Sequence, residues 1–185
     1  MAKDADVAQL VEQLIRNEQV TGSIPAIGSI IAMRDFEKIS FDQFKKDVAD
    51  DRALYDSFEL PMRKTKNAAG YDFPLLQDLT IKPGEIVKLP TGLKIRFNSD
   101  EVLLVTVRSS TGFKYNIRLV NQIGIIDSDY YNNPDNEGHL FVKIQNEGDK
   151  TVTFKAGDAV AQGIFVKYLT TDTERTLDSE RTSDY

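Results

Sequence analysis

Hydrophobic and polar positions fall into three textures along the chain. Over residues 1–19, Val7, Leu10, Val11, Leu14 and Ile15 recur at helical spacing and make one narrow apolar stripe. The spacing predicts a helix, capped by Asp4 or Asp6 and docked by its stripe on the body of the domain or on a partner subunit. Gly22, Pro25 and Gly28 break that pattern, and SIIAMRDFEKI after them is apolar enough for a short strand. Ser40 and Gln43 have the spacing of a capping box, with Phe41, Phe44 and Val48 following on one face. This predicts a second helix of roughly a dozen residues.

From residue 68 onward the period shortens. DLTI, EIVKLPTGLKIRF, VLLVTVRSS, IRLVNQIGIID, HLFVKIQNEG, TVTFKAG and AVAQGIFVKYL follow one another with Gly, Pro and Asn between them. Leu140, Val142 and Ile144 alternate with polar neighbours, as do Val152 and Phe154. Many short strands at even spacing, with no long helical pattern among them, predict an all-β sandwich, jelly roll or small barrel. The tail TTDTERTLDSERTSDY carries apolar bulk only at Leu177 and Tyr185, too little to pack alone. The expected layout is a helical N-terminal extension over 1–50, a β domain over 51–169 and a mobile arm over 170–185.

Composition then narrows the chemistry. The chain has 185 residues, with 29 acidic against 23 basic side chains and a formal charge of −6. A net negative chain with no basic cluster argues against nucleic acid as the partner. No apolar run is long enough to span a membrane, and the acidic start is unlike a signal peptide; the expected residence is cytoplasmic. There is no Cys and a single His, His139, so thiolate and multi-His metal sites are excluded. Any metal must be held by oxygen, which suits magnesium. Neither a Gly-x-Ser-x-Gly elbow nor a Walker lysine loop occurs.

Four segments carry candidate chemistry. In Asn67-Ala68-Ala69-Gly70-Tyr71-Asp72, small residues permit a close backbone approach and Asp72 supplies a carboxylate; a turn between strands explains the segment equally well. Arg108-Ser109-Ser110-Thr111-Gly112-Phe113-Lys114 joins two cations and three hydroxyls at a strand end, suited to an oxyanion such as phosphate, or to a solvated turn. In NQIGIIDSDY, Asp127 and Asp129 would share a face on a regular strand, among Ile125, Ile126 and Tyr130. Such a carboxylate can take a proton from water or sit near a metal, and a solvent-facing hairpin rim is the plainer account. Gln162, leading into GIFV, can orient a water or occupy a strand edge. His139 reads as a loop residue rather than a catalyst.

The order of AAGYD, PTGLK, RSSTGFK, NQIGIIDSDY and GDAVAQGIF resembles the trimeric dUTP diphosphatase (dUTPase) family, over residues 60–169. The resemblance implies a β jelly roll of the β-clip type, a homotrimer with sites shared between subunits, and magnesium-dependent hydrolysis of dUTP to dUMP and pyrophosphate. By motif, Asp127 matches the carboxylate that activates water and Gln162 the side chain that positions it. Ser109 matches the hydroxyl that meets the phosphate chain, with Arg108 and Ser110 beside it. Asp72 matches the acid near the metal's water shell. Asn121 matches the reader of the uracil edge, with Gly124, Ile125 and Ile126 also among the substrate-binding residues. Tyr130 matches the ring beneath the sugar that excludes a 2′-hydroxyl, and Phe141 is the expected residue facing the base.

Three features depart from the family pattern. The stretch Tyr131 to Gly138 is longer than the usual turn, as in a Gram-positive bacterial and phage subset. Residues 1–50 lie largely outside the common core. The Gly-rich final motif is matched only at its start, from Arg181 to Tyr185, with Tyr185 in place of the aromatic that covers the uracil. The alternatives are a dCTP deaminase-related enzyme, which shares the fold, and a non-catalytic dUTP-binding trimer with a regulatory protein partner.

Overall fold

The computed structural model describes residues 34–173. The expected helix over 1–19, the start of the first expected strand, and the tail with Arg181 and Tyr185 lie outside the described residues. The described residues belong to one compact unit.

Among the described residues the architecture is all-β, with three short helices. In order, these are β1 (Asp35–Lys38), α1 (Phe41–Asp47), α2 (Arg52–Ser57), β2 (Tyr71–Pro74), β3 (Leu79–Ile81), β4 (Ile86–Pro90), β5 (Leu93–Arg96) and β6 (Glu101–Val107). Then come α3 (Ser109–Tyr115), β7 (Ile117–Leu119), β8 (Gly124–Asp127), a 3₁₀ turn (Ser128–Tyr130), β9 (Phe141–Asn146), β10 (Val152–Phe154) and β11 (Ala159–Lys167). The pairings are antiparallel and form sheets β2-β11-β6-β8 and β4-β9-β7, with two-stranded pairs β1-β5 and β10-β3. No helix of the described residues is long and apolar enough to cross a membrane.

The period-two pattern builds the core. Leu103 and Val105 of β6, Val142 and Ile144 of β9, and Val152 and Phe154 of β10 turn inward, where they meet Ile81, Ile117 and Leu119. Gly163 of β11 lies where an added Cβ would stand 2.8 Å from Phe73 and 3.0 Å from Leu103, so the glycine lets that strand lie close over the core.

Helix α1 begins as its sequence predicts, with Ser40 Oγ accepting from the Gln43 backbone N–H at 3.1 Å. The box is not reciprocal. Gln43 donates to Asp47 Oδ2 at 2.8 Å, and the Ser40 backbone N–H is met instead by Glu137 at 2.9 Å. The expected dozen-residue helix is two short ones, α1 of 7 and α2 of 6 residues, because Asp51 caps a new start through Leu54 N at 2.9 Å. The boundary expected at residue 50 also needs correcting. β1 pairs with β5, and Phe44, fully buried, stacks on Phe58 at 5.8 Å, so residues 35–47 are part of the β unit.

Candidate active site

One cavity of ≈ 410 Å³ is lined by Asn121, Gly124, Ile125, Ile126 and Phe141, all expected substrate residues. Its hairpin is held from below. The Arg118 guanidinium donates to the carbonyls of Leu119 and Val120 at 3.0 and 3.1 Å, to Gln145 at 2.9 Å and to Glu147 at 2.6 Å. At Gly124 an added Cβ would stand 3.2 Å from Val105 Cβ, so the glycine sets how closely β8 lies on β6. Lys88 and Lys143 also line this cavity, and sequence reasoning missed both. They are directly opposite in the β4–β9 register, and Lys88 Nζ stands 3.9 Å over the Phe141 ring. Like charges so placed oppose each other. The only advance signal was Lys in two strands whose pairing is non-local.

A second cluster forms where β2, β11 and the end of β6 meet. Gln162 sits between Asp72 of β2 and Thr106 of β6 in register. Its amide occupies the space over Gly70, where an added Cβ would stand 2.3 Å from Oε1. The small-residue motif therefore makes room for Gln162. Asp72 is buried at 6 % exposure, with Oδ1 at 3.0 Å from Arg108 Nε. Its Oδ2 is buried without a hydrogen-bond partner among the described residues. Arg108 is the N-cap residue of α3, tied by its backbone N–H to the Val160 carbonyl at 3.0 Å, with Ser109 and Ser110 exposed in the first turn. The segment, read from the sequence as either an oxyanion site or a solvated turn, is a helix start.

Asp127 closes β8, half-buried, opposite Val102. Gln162 is opposite Thr106, four residues further along β6 and on its other side. That offset is about 13 Å along the strand and two strand spacings across it, which puts the two residues about 16 Å apart. A single chain therefore does not bring Asp127 to Gln162, Asp72 and Arg108. Pairing register puts both groups on the same outer sheet face, and between them lie Val102, Leu104, Ile125, Ile164 and Val166, none of them fully buried.

One expectation within the hairpin changes. Asp129 lies in the 3₁₀ turn, not on the strand, so it does not share a strand face with Asp127. Tyr130 is buried at 5 % exposure, and its hydroxyl accepts from Asn136 Nδ2 at 3.0 Å and donates to the His139 carbonyl at 3.2 Å. The long loop after it is internally bonded. Asn133 Oδ1 accepts from the N–H groups of Asp135 and Asn136, and the Asn136 side chain accepts from Gly138 N. His139 is more than a loop residue. It is fully buried, its Nε2 accepts from Gly92 N–H at 2.9 Å and its Nδ1 lies 2.5 Å from Asp47 Oδ2. Burial lowers its pKa below the ordinary imidazole value, against the opposing pull of Asp47.

No group of three or more His, Cys, Asp or Glu able to hold a metal ion occurs among the described residues. A hard cation that keeps its waters and takes most ligands from a substrate still fits, because Asp72 offers a buried, unpartnered carboxylate oxygen beside Arg108.

The dUTPase family model matches residues 56–185. The deoxyuridine 5′-triphosphate nucleotidohydrolase of Lactococcus lactis is 42 % identical over 121 residues, covering 65 % of this chain and 81 % of that protein. The crystal structure of dUTPase from Streptococcus mutans is similar with a TM-score of 0.60 at 40 % identity, covering 74 % of this chain and 98 % of that one. A dUTPase from phage phi11 of S. aureus, described with a structural Mg(II) ion, shares the fold with a TM-score of 0.58 at 18 % identity, covering 80 % of this chain and 99 % of that one. A family match over most of the chain, joined to relatives of 42 % and 40 % identity aligned over 81 % and 98 % of their own length, establishes that this chain belongs to the dUTPase family.

Proposed function

We propose that the protein hydrolyses dUTP to dUMP and pyrophosphate, with magnesium, in sites that copies of the chain complete for one another. One observation carries the base-binding half. The five hairpin and β9 residues expected to bind substrate, Asn121 and Phe141 among them for the base, line a single cavity of ≈ 410 Å³, within the range of small-ligand pockets. A jelly roll, a homotrimer and cytoplasmic residence belong to the same reading. The gap between Asp127 and Gln162, bridged by a partly exposed apolar band, supports assembly: a second copy laid on that face covers the band and brings the complementary half-site.

In this reading Asn121 and the hairpin backbone bind the uracil edge, and the Asp127 carboxylate takes a proton from the attacking water. Gln162 holds that water by its amide, and Arg108, Ser109 and Ser110 bind phosphate oxygens. The water oxygen bonds to phosphorus as the bond to the pyrophosphate oxygen breaks, so catalysis is positioning and charge neutralisation. Magnesium, when bound, neutralises phosphate charge, and Asp72 would hold it through a water. The Tyr130 ring forms the floor beneath the deoxyribose. Its hydroxyl is already engaged, so a 2′-hydroxyl placed there has no partner.

Pyrophosphate release with dUTP, UTP and dCTP as separate substrates tests the reading. UTP is expected to be at least about 10²-fold poorer in kcat/KM than dUTP, the scale set by an unpartnered buried polar group. Equal rates on UTP and dUTP, or ammonia release from dCTP, would contradict it.

A further inference from the structure

We propose that Asp47 and His139 are a positioning pair that sets the Phe141 wall of the base pocket, coupling α1 to substrate affinity. The inference rests on the base-pocket reading above. Gly92 N–H donates to His139 Nε2, so the neutral ring carries its proton on Nδ1 and donates it to Asp47. The ring is thereby fixed from two sides by elements distant in sequence. Its centroid lies 4.2 Å from that of Phe141, whose ring also carries Lys88 Nζ at 3.9 Å. Phe141 therefore contacts both the His139 ring and the Lys88 ammonium, and both Phe141 and Lys88 line the cavity. The His139 carbonyl accepts the Tyr130 hydroxyl, so the pair also anchors the floor beside that wall. α1, which supplies Asp47, lies before the matched family segment of residues 56–185.

The charged groups facing His139 are Asp47 from α1, Lys88 from β4 and Glu137 from the preceding loop. Protonation of Nε2 would set its N–H against the Gly92 N–H, breaking the hold on the ring. Burial keeps the pKa of His139 below its ordinary value and Asp47 opposes that shift. The neutral, fixed state is thus fully present at neutral pH and is lost as pH falls through the lowered pKa. Removing the Asp47 charge moves that loss to still lower pH.

The test measures dUTP KM and kcat, with direct binding of a non-hydrolysable imido analogue, between pH 5 and 8 for wild type, Asp47→Asn and Asp47→Leu. Asp47→Leu removes the acceptor and is expected to raise KM about three- to tenfold, the worth of one hydrogen bond, with kcat little changed. Asp47→Asn keeps an acceptor and should restore wild-type KM at pH 8, with the acid-side rise in KM displaced to lower pH. Melting curves report whether each variant is folded. If Asp47→Leu does not fold, the Asp47→Asn profile decides. Folded variants with wild-type KM at every pH overturn the proposal while leaving the pocket assignment standing. A wild-type protein that does not bind the analogue overturns both.

Discussion

Asp127→Asn is expected to lose at least about 10²-fold in turnover of dUTP, the scale of general-base catalysis. The amide is nearly isosteric with the carboxylate and can still hold a water, but cannot accept its proton. Asp127 stands at the end of β8, beyond the residues that line the base cavity, so the substitution leaves those contacts in place. Affinity for the imido analogue should therefore stay within several-fold. Turnover close to wild type would remove Asp127 from the role of base.

Arg108 carries the second large effect, on stability and rate together. Its Nε is the partner of an Asp72 carboxylate whose other oxygen has none among the described residues. Arg108→Met leaves that buried charge uncompensated, a loss of about 3–5 kcal/mol for a fully buried pair. The Arg108 side chain is 36 % exposed, so water offsets part of this, and about 2–3 kcal/mol is the expected loss in denaturant unfolding. Removing the cation proposed to bind phosphate should also cost about 10²-fold or more in rate. The double variant Arg108→Met/Asp72→Asn separates the two effects: stability should largely return and turnover should not. Recovery of both would make the pair structural alone.

The strands were legible because each buries one face, and inward Leu103, Val105, Val142 and Ile144 alternate with outward neighbours. The α1 cap was legible at Ser40 because N-capping is local chemistry. Helix α3 was not. Ser109, Ser110, Thr111 and Gly112 are weak helix formers, and the helix is imposed by its place between β6 and β7. Membership of β1 in the domain was hidden because its partner β5 lies more than fifty residues away. The motifs named candidate residues but not their separation. The distance between Asp127 and Gln162 depends on strand order and register, neither of which has a local signature. His139 showed only a polar residue between Gly138 and Leu140, because its burial arises from contacts with Asp47 and Gly92.

The central claim is that hydrolysis needs Asp127 from one copy of the chain and Gln162 with Asp72 and Arg108 from another. Subunit complementation tests it most directly. Asp127→Asn and Gln162→Ala proteins, each assayed alone and then unfolded and refolded together, are compared for pyrophosphate release from dUTP. If sites are shared, the mixture regains activity that neither variant has, because mixed assemblies contain sites with both residues intact. A mixture that forms mixed assemblies and stays as inactive as its parts would place the whole site within one chain and contradict the account.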